Sequence, residues 1–241
     1  IELQEAVDSE AKIYGLWPYF KEEPVDVWRW PDFNWADFNA TTLLLIWHRH
    51  RRRLTPGVLD KVVEAIRRAA ICIRRRNVDL NYTNIAIKGT FVTISAAEVT
   101  CDAGLLGYAL DRLEKLRDTV ESAGAFAEYN SPTYAAVSLA GLHAMETYVR
   151  DERARPLVMQ LITRFWMEVA ERFHPETREL AGPHARAYRR SLRAAPDLLG
   201  SLIEKASRGA VRYESVSGRE AMGALPACVM NVEVPAEVVT M

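Results

Sequence analysis

The sequence predicts an all-α protein built as an array of alternating inner and outer helical hairpins. Three observations predict it. Apolar side chains ring some segments on every side and stripe the intervening ones on a single side. Polar loops that open the all-round segments recur every ~45–50 residues, the scale of helical-hairpin repeats. Alternating β patterning is nearly absent until Val211-Arg212-Tyr213.

Residues 1–39 form an aromatic-rich N-terminal arm with no sustained helical period, holding Trp17, Trp28, Trp30 and Trp35. Packing is the expected role of most of these rings, and walling a binding cleft is the functional alternative. Residues 40–208 are expected to form the helical-hairpin domain. Its first helix, 40–54, opens on the apolar run Leu43–Trp47 and turns basic. Thr55-Pro56 is a helix-start signature for 56–76, whose apolar positions Leu59, Val62, Val63, Ile66 and Ile73 lie on one side. Residues 84–100 are apolar nearly all round, with Ile85, Ile87, Phe91, Val92 and Ile94. Residues 102–123 return to one stripe through Leu106, Leu110, Leu113 and Val120, and Asp102 reads as the cap or first-turn acid. Residues 132–149 are again apolar nearly all round. Residues 153–173 set Val158, Leu161, Ile162 and Phe165 opposite Arg164, Glu168, Glu171 and Arg172. A helix apolar on every side is enclosed on every side, so 40–54, 84–100 and 132–149 are the expected inner helices. Residues 209–241, rich in β-branched residues and broken by Gly218, Gly223, Pro226 and Pro235, read as a non-helical tail or the start of a second domain.

Composition narrows the function classes. The 241 residues are 49% hydrophobic and 26% charged, with a formal net charge of -1. That balance gives no global field for nucleic acid or an acidic membrane. The basic clusters at Arg49–Arg53 and Arg74–Arg76 fall at helix C-termini, where cations offset the helix dipole. Cys72, Cys101 and Cys228 are too far apart for a disulfide framework or a thiolate zinc site. No phosphate-cradling glycine loop and no metal-ligand motif is present, so neither cofactor nor metal is expected. The longest apolar run near the start is too short to span a bilayer. The chain begins with Ile1 rather than Met, which leaves processing or truncation open and the compartment unassigned.

The stretch Glu128-Tyr129-Asn130-Ser131-Pro132-Thr133-Tyr134 is the strongest site signal. Ser131 is a good N-cap and Pro132 suits the first helical position, so a helix begins here. Glu128, Tyr129 and Asn130 then lie at its positive end, where polar and anionic groups collect. The structural alternative is a well-made cap with a tyrosine packed beneath. In an alternating array every inner helix runs the same way, so inner N-termini share one face. The loop Asn81-Tyr82-Thr83-Asn84 and the segment Gly182-Pro183-His184-Ala185-Arg186-Ala187-Tyr188 should join Glu128–Asn130 there.

This pattern resembles the (α/α) toroid of polysaccharide lyases and glycoside hydrolases, in particular alginate lyases and the heparinase II/III-like group. The resemblance covers roughly residues 36–195 and rests on helix pattern and on the style of the Glu128–Tyr134 and Gly182–Tyr188 motifs. The chain offers fewer hairpins than a full toroid, so the array is expected to be incomplete. A homo-oligomer or a missing partner segment would then cover its open side. The resemblance implies β-elimination across C4–C5 of a uronic acid in an oligosaccharide, or another small-molecule substrate. It implies that a cation or amide neutralises the carboxylate while Tyr or His moves the proton. Carried onto this chain, the catalytic candidates are Tyr188, Tyr129 and His184. The substrate-binding candidates are Glu128, Asn130, Tyr134, Arg186, Asn84 and His174.

Other readings use the same residues. Glu128 with Glu98 or Asp102 could serve glycoside hydrolysis, which needs two carboxyls flanking the bond. A terpene-type cyclase or dehydratase would need an aromatic-lined apolar cavity. A non-catalytic helical-repeat scaffold would fill its own rim. His143, mid-helix among apolar neighbours, reads as a satisfied core histidine, and His48, His50 and His174 as helix-end residues. His184, Arg186 and Tyr188 alternate, so an extended segment would set them on one side. Arg186 paired with Glu128 as a structural clamp is the alternative to a site.

Overall fold

The computed structural model describes residues 1–186, 198–213 and 225–239. The fold is all-α, a series of helical hairpins with a tail that forms no long helix among the described residues. The chain divides into two compact units. The first comprises Ile1–Asp79, Ile85–Arg112 and Tyr148–Arg150. The second comprises Leu80–Asn84, Leu113–Thr147 and Asp151–Met241.

In the first unit, α1 (Asn34–His50) packs on α2 (Pro56–Arg76). α1 begins before the expected residue 40 because the Asp32 carboxylate accepts from the Asn34 N–H at 3.0 Å and starts the turn. It ends at His50, where a 3-10 turn, Arg51–Arg53, carries the basic run. α2 keeps its expected bounds. Thr55 is extended, Pro56 opens the helix, and Asn77 closes it with φ +42. That left-handed cap is held by Tyr108 and Arg112, which both donate to Asn77 Oδ1, at 2.9 and 2.8 Å. The N-terminal arm is irregular and tucked against α2. Gln4 Nε2 donates to the carbonyls of Gly15 and Ala65, and Leu16 and Trp17 are buried.

α3 (Thr83–Thr100) and α4 (Ala103–Ala123) contribute to both units. Every residue of α3 from Thr83 to Ala97 is buried. Its interior threonines return their hydroxyls to the helix, Thr90 to the Ala86 carbonyl and Thr93 to that of Gly89, each at 2.8 Å. α4 starts where Asp102 Oδ1 accepts from the Leu105 N–H at 2.9 Å. It buries one stripe, Leu105, Ala109, Leu113, Leu116 and Val120.

The second unit holds α5 (Pro132–Tyr148, through Thr147) and α6 (Ala154–Ala170). Ser131 Oγ accepts from the Tyr134 N–H at 3.3 Å, the expected cap with Pro132 behind it. α5 is buried continuously from Ser138 to Met145. α6 buries one side, and Phe165 meets Phe126 with ring centroids 4.5 Å apart. A two-stranded hairpin follows, β1 (Phe173–His174) antiparallel to β2 (Glu179–Leu180). α7 (Leu198–Ala206) and α8 (Leu225–Val229) pack together, and α9 (Ala236–Val239) packs on α6. Val229–Val239 forms no strand, and residues 230–235 interrupt the helix there.

Enclosure follows the apolar pattern, with α3 and α5 covered all round and α2, α4 and α6 on one side. α1 departs from its expected inner role. Leu43, Leu45, Ile46 and Trp47 stay half-buried, and only Ala36, Asp37, Ala40, Thr41 and Leu44 are buried. No helix among the described residues is long and apolar enough to cross a membrane.

Candidate functional site

Within the second unit, the start of α3 and the loop before α5 meet through Glu128. Its carboxylate is buried and serves as a cap for α3: Oε2 accepts from the Asn84 backbone N–H at 2.7 Å. Asn84 Nδ2 reaches both carboxylate oxygens, at 2.9 and 2.7 Å. Thr83 Oγ1 accepts in return from the Glu128 N–H at 3.3 Å. A carboxylate at a helix N-terminus is favoured by the dipole as well as by these donors. Arg186 completes the cluster, its Nη1 pairing with Glu128 Oε1 and its Nη2 donating to the Tyr134 hydroxyl at 3.0 Å. The guanidinium lies 4.1 Å from the Tyr134 ring centroid and 5.6 Å from that of Tyr82. The Arg186 side chain is 38% exposed against 6% for Glu128, so the cation faces solvent and the anion faces the core.

Asn130 brings Arg186 there. It adopts φ +44, and its Nδ2 donates to the carbonyls of Ala181 at 2.8 Å and Pro183 at 2.7 Å. Both amide protons are therefore committed to positioning the 181–183 segment. The crevice between Glu128, Asn130, Phe165 and Glu168 is about 10 Å³, on the order of one water. A far larger cavity, about 570 Å³, lies between α4 and α6, lined by Arg117, Val120, Gln160, Arg164 and Met167.

The remaining candidates fall around this cluster or away from it. The Tyr129 hydroxyl accepts from Arg172 at 2.7 Å, and that guanidinium lies 4.4 Å from the Tyr129 ring. His184 is half-buried, and its Nδ1 has no hydrogen-bond partner among the described residues. His174 is occupied in the hairpin turn, where Nδ1 lies 3.1 Å from Thr177 Oγ1. Tyr188 lies outside the described residues. Of the two geometries left open for 184–188, the described part is not extended at Arg186, which sits in a turn with φ +51. His143 is a satisfied core histidine. Trp166 Nε1 donates to its Nε2 at 3.0 Å, which leaves the proton on Nδ1, 2.8 Å from Glu146.

The family described as Domain of unknown function (DUF8769) matches residues 2–219. The chain belongs to that family. No curated protein and no solved structure matches it. The DUF8769 match spans the loops carrying Tyr82, Glu128 and Arg186, so the cluster lies within the family's own segment.

Near this cluster, sequence reasoning missed the burial of Glu168. Glu168, expected on the polar face of its helix, is 6% exposed. Its carboxylate accepts from the Phe126 N–H at 3.0 Å and sits 3.4 Å from Arg164. Burial raises its pKa above the usual carboxylate range. The signal available was the loop before α5, whose N–H groups need acceptors. Tyr82 and Arg172 were visible only as members of a loop and of a polar face.

Proposed function

We propose that this chain is part of a carbohydrate-active lyase that acts by β-elimination on a uronic-acid-containing glycan. The observation that carries this reading is Arg186, solvent-facing between the Tyr82 and Tyr134 rings, with its Nη2 on the Tyr134 hydroxyl. Arg186 would take the sugar carboxylate and withdraw charge from C5. Tyr134, as its phenolate, would accept the C5 proton, its oxygen held in place by Arg186 Nη2. The electron pair of C5–H becomes the C4–C5 double bond, the C4–O bond breaks, and the phenol returns its proton to the leaving oxygen. Tyr129, beside Arg172, and the half-buried His184 would extend the sugar-binding edge.

Three facts support elimination over hydrolysis. Both Glu128 oxygens already accept from Asn84 and Arg186, so neither is free to face a glycosidic bond as a glycosidase acid must. Asp102 caps α4, and Glu98 accepts from the Arg150 N–H at 2.8 Å. The mass of the products tests the assignment. Elimination leaves a new end short of one water, whereas products that have gained water would assign hydrolysis.

The Glu128–Arg186 ion pair also favours a second reading, a structural clamp that ties the 181–186 segment to α3 and binds nothing. Arg186→Ala separates the two. Loss of turnover with stability kept within about 1 kcal/mol supports the site. A loss of more than about 2 kcal/mol, in a parent with no turnover, supports the clamp.

A further inference from the structure

The cavity between α4 and α6 is lined by residues of the second unit alone, and the proposed elimination does not use it. Its volume, about 570 Å³, falls inside the range of small-molecule sites. The floor is apolar: Val120 and Leu161 are buried, and Met159 and Met167 are half-buried beside them. The two methionines are eight residues apart on α6, so the floor runs about 12 Å along the helix, room for two fused rings or a short alkyl chain. Their unbranched side chains adapt to the shape laid on them. The charged groups around this floor are already paired. Arg117 Nε donates to Asp118 Oδ1 at 2.6 Å and lies 3.6 Å from Glu121 Oε2, and its Nη1 donates to Gln160 Oε1 at 2.9 Å. Arg164 Nε sits 3.4 Å from Glu168 Oε1, and its Nη2 donates to the Gly124 carbonyl.

We propose that the α4–α6 cavity is a binding site for a small uncharged apolar ligand, a two-ring aromatic or an aliphatic body of similar length. A net charge laid on this floor loses its water and meets no unpaired opposite charge, so a charged ligand is disfavoured. An anion would have to displace Asp118 from Arg117 or Glu168 from Arg164. A cation would have to displace Arg117 from Glu121. An uncharged body covers Val120, Leu161 and both methionines and leaves every one of these ion pairs in place. A docked protein is the poorer fit. The lining comes from residues 117–124 and 159–167, whereas one side of a stable protein interface draws on about 20–30 residues.

Methyl NMR of the whole chain, labelled at the methionine ε-methyls, tests this without any turnover. Met159→Leu and Met167→Leu, which nearly keep the volume, assign the two signals. 2-Naphthalenemethanol should shift both through its ring current in a saturable titration, while the buried Met145 and Met230, outside the cavity, hold their positions. 2-Naphthoate and 2-naphthylmethylammonium carry the same rings with a charge, and each should bind more than about threefold more weakly. A titration that leaves the Met159 or the Met167 methyl unmoved overturns the site. Either charged analogue binding within about threefold of the alcohol overturns the uncharged class of ligand.

Discussion

Replacing Glu128 by Ala removes the acceptor on which the start of α3 depends. Asn84 is fully buried, and both its backbone N–H and its side-chain amide lose their partner. An orphaned buried donor costs about 1–3 kcal/mol, so the two together cost about 2–6. Arg186 adds little, because its side chain is 38% exposed and water replaces the carboxylate. Water entering the vacated volume relieves part of the loss, which leaves about 3 kcal/mol. For a chain of this size that lowers Tm by roughly 6–12 °C. Glu128→Gln keeps one acceptor but turns an amide toward Asn84 Nδ2, for about 1–2 kcal/mol. Arg186→Ala should cost about 1 kcal/mol or less. Urea denaturation of the three variants gives the ranking directly. A Glu128→Ala cost below about 1 kcal/mol, or an Arg186→Ala cost above it, would refute the capping argument.

Other positions give sharp expectations. Burial, with Arg51 and Arg150 nearby, lowers His48 to about 4. Its folded pKa lies below the unfolded one, so the stability it contributes is full above about pH 6.5 and is lost as pH falls toward 4, by about 1–2 kcal/mol after screening. Urea midpoints across that window should flatten in His48→Gln; an unchanged slope would exclude His48 as the cause. Gly15→Ala should destabilise by more than about 2 kcal/mol, since φ is +85 and a Cβ would meet the Arg68 carbonyl at 2.1 Å; a thermal shift within error would contradict the close approach. Leu139→Ala, at a fully buried position of α5, should cost about 3–5 kcal/mol, and Val58→Ala, 44% exposed, under about 0.5. Similar costs at both positions would contradict the inner and outer assignment.

Helix positions were legible where local chemistry and periodicity agreed. Thr55-Pro56, Asp102 and Ser131-Pro132 marked starts that the backbone uses. α1 was misjudged because an apolar run shows what a helix would bury, whereas the neighbours decide what it does bury. The β1–β2 hairpin was hidden because its turn puts Arg178, not glycine or asparagine, at φ +58. The meeting of Glu128, Asn84 and Arg186 joins three loops that the sequence already singled out. The roles within it were not legible. Asn130 looked like a ligand for a carboxylate, but its amide is consumed by two backbone carbonyls that no sequence pattern announces.

The central functional claim is that the Arg186–Tyr134 edge eliminates across a uronic acid. The most direct measurement incubates the chain with a panel of uronic-acid polymers and follows the ultraviolet absorbance of a new C4–C5 double bond. The account predicts a steady rise with at least one polymer, abolished in Tyr134→Phe and Arg186→Ala while both variants stay folded. No rise with any polymer, or an undiminished rise in Tyr134→Phe, would contradict it.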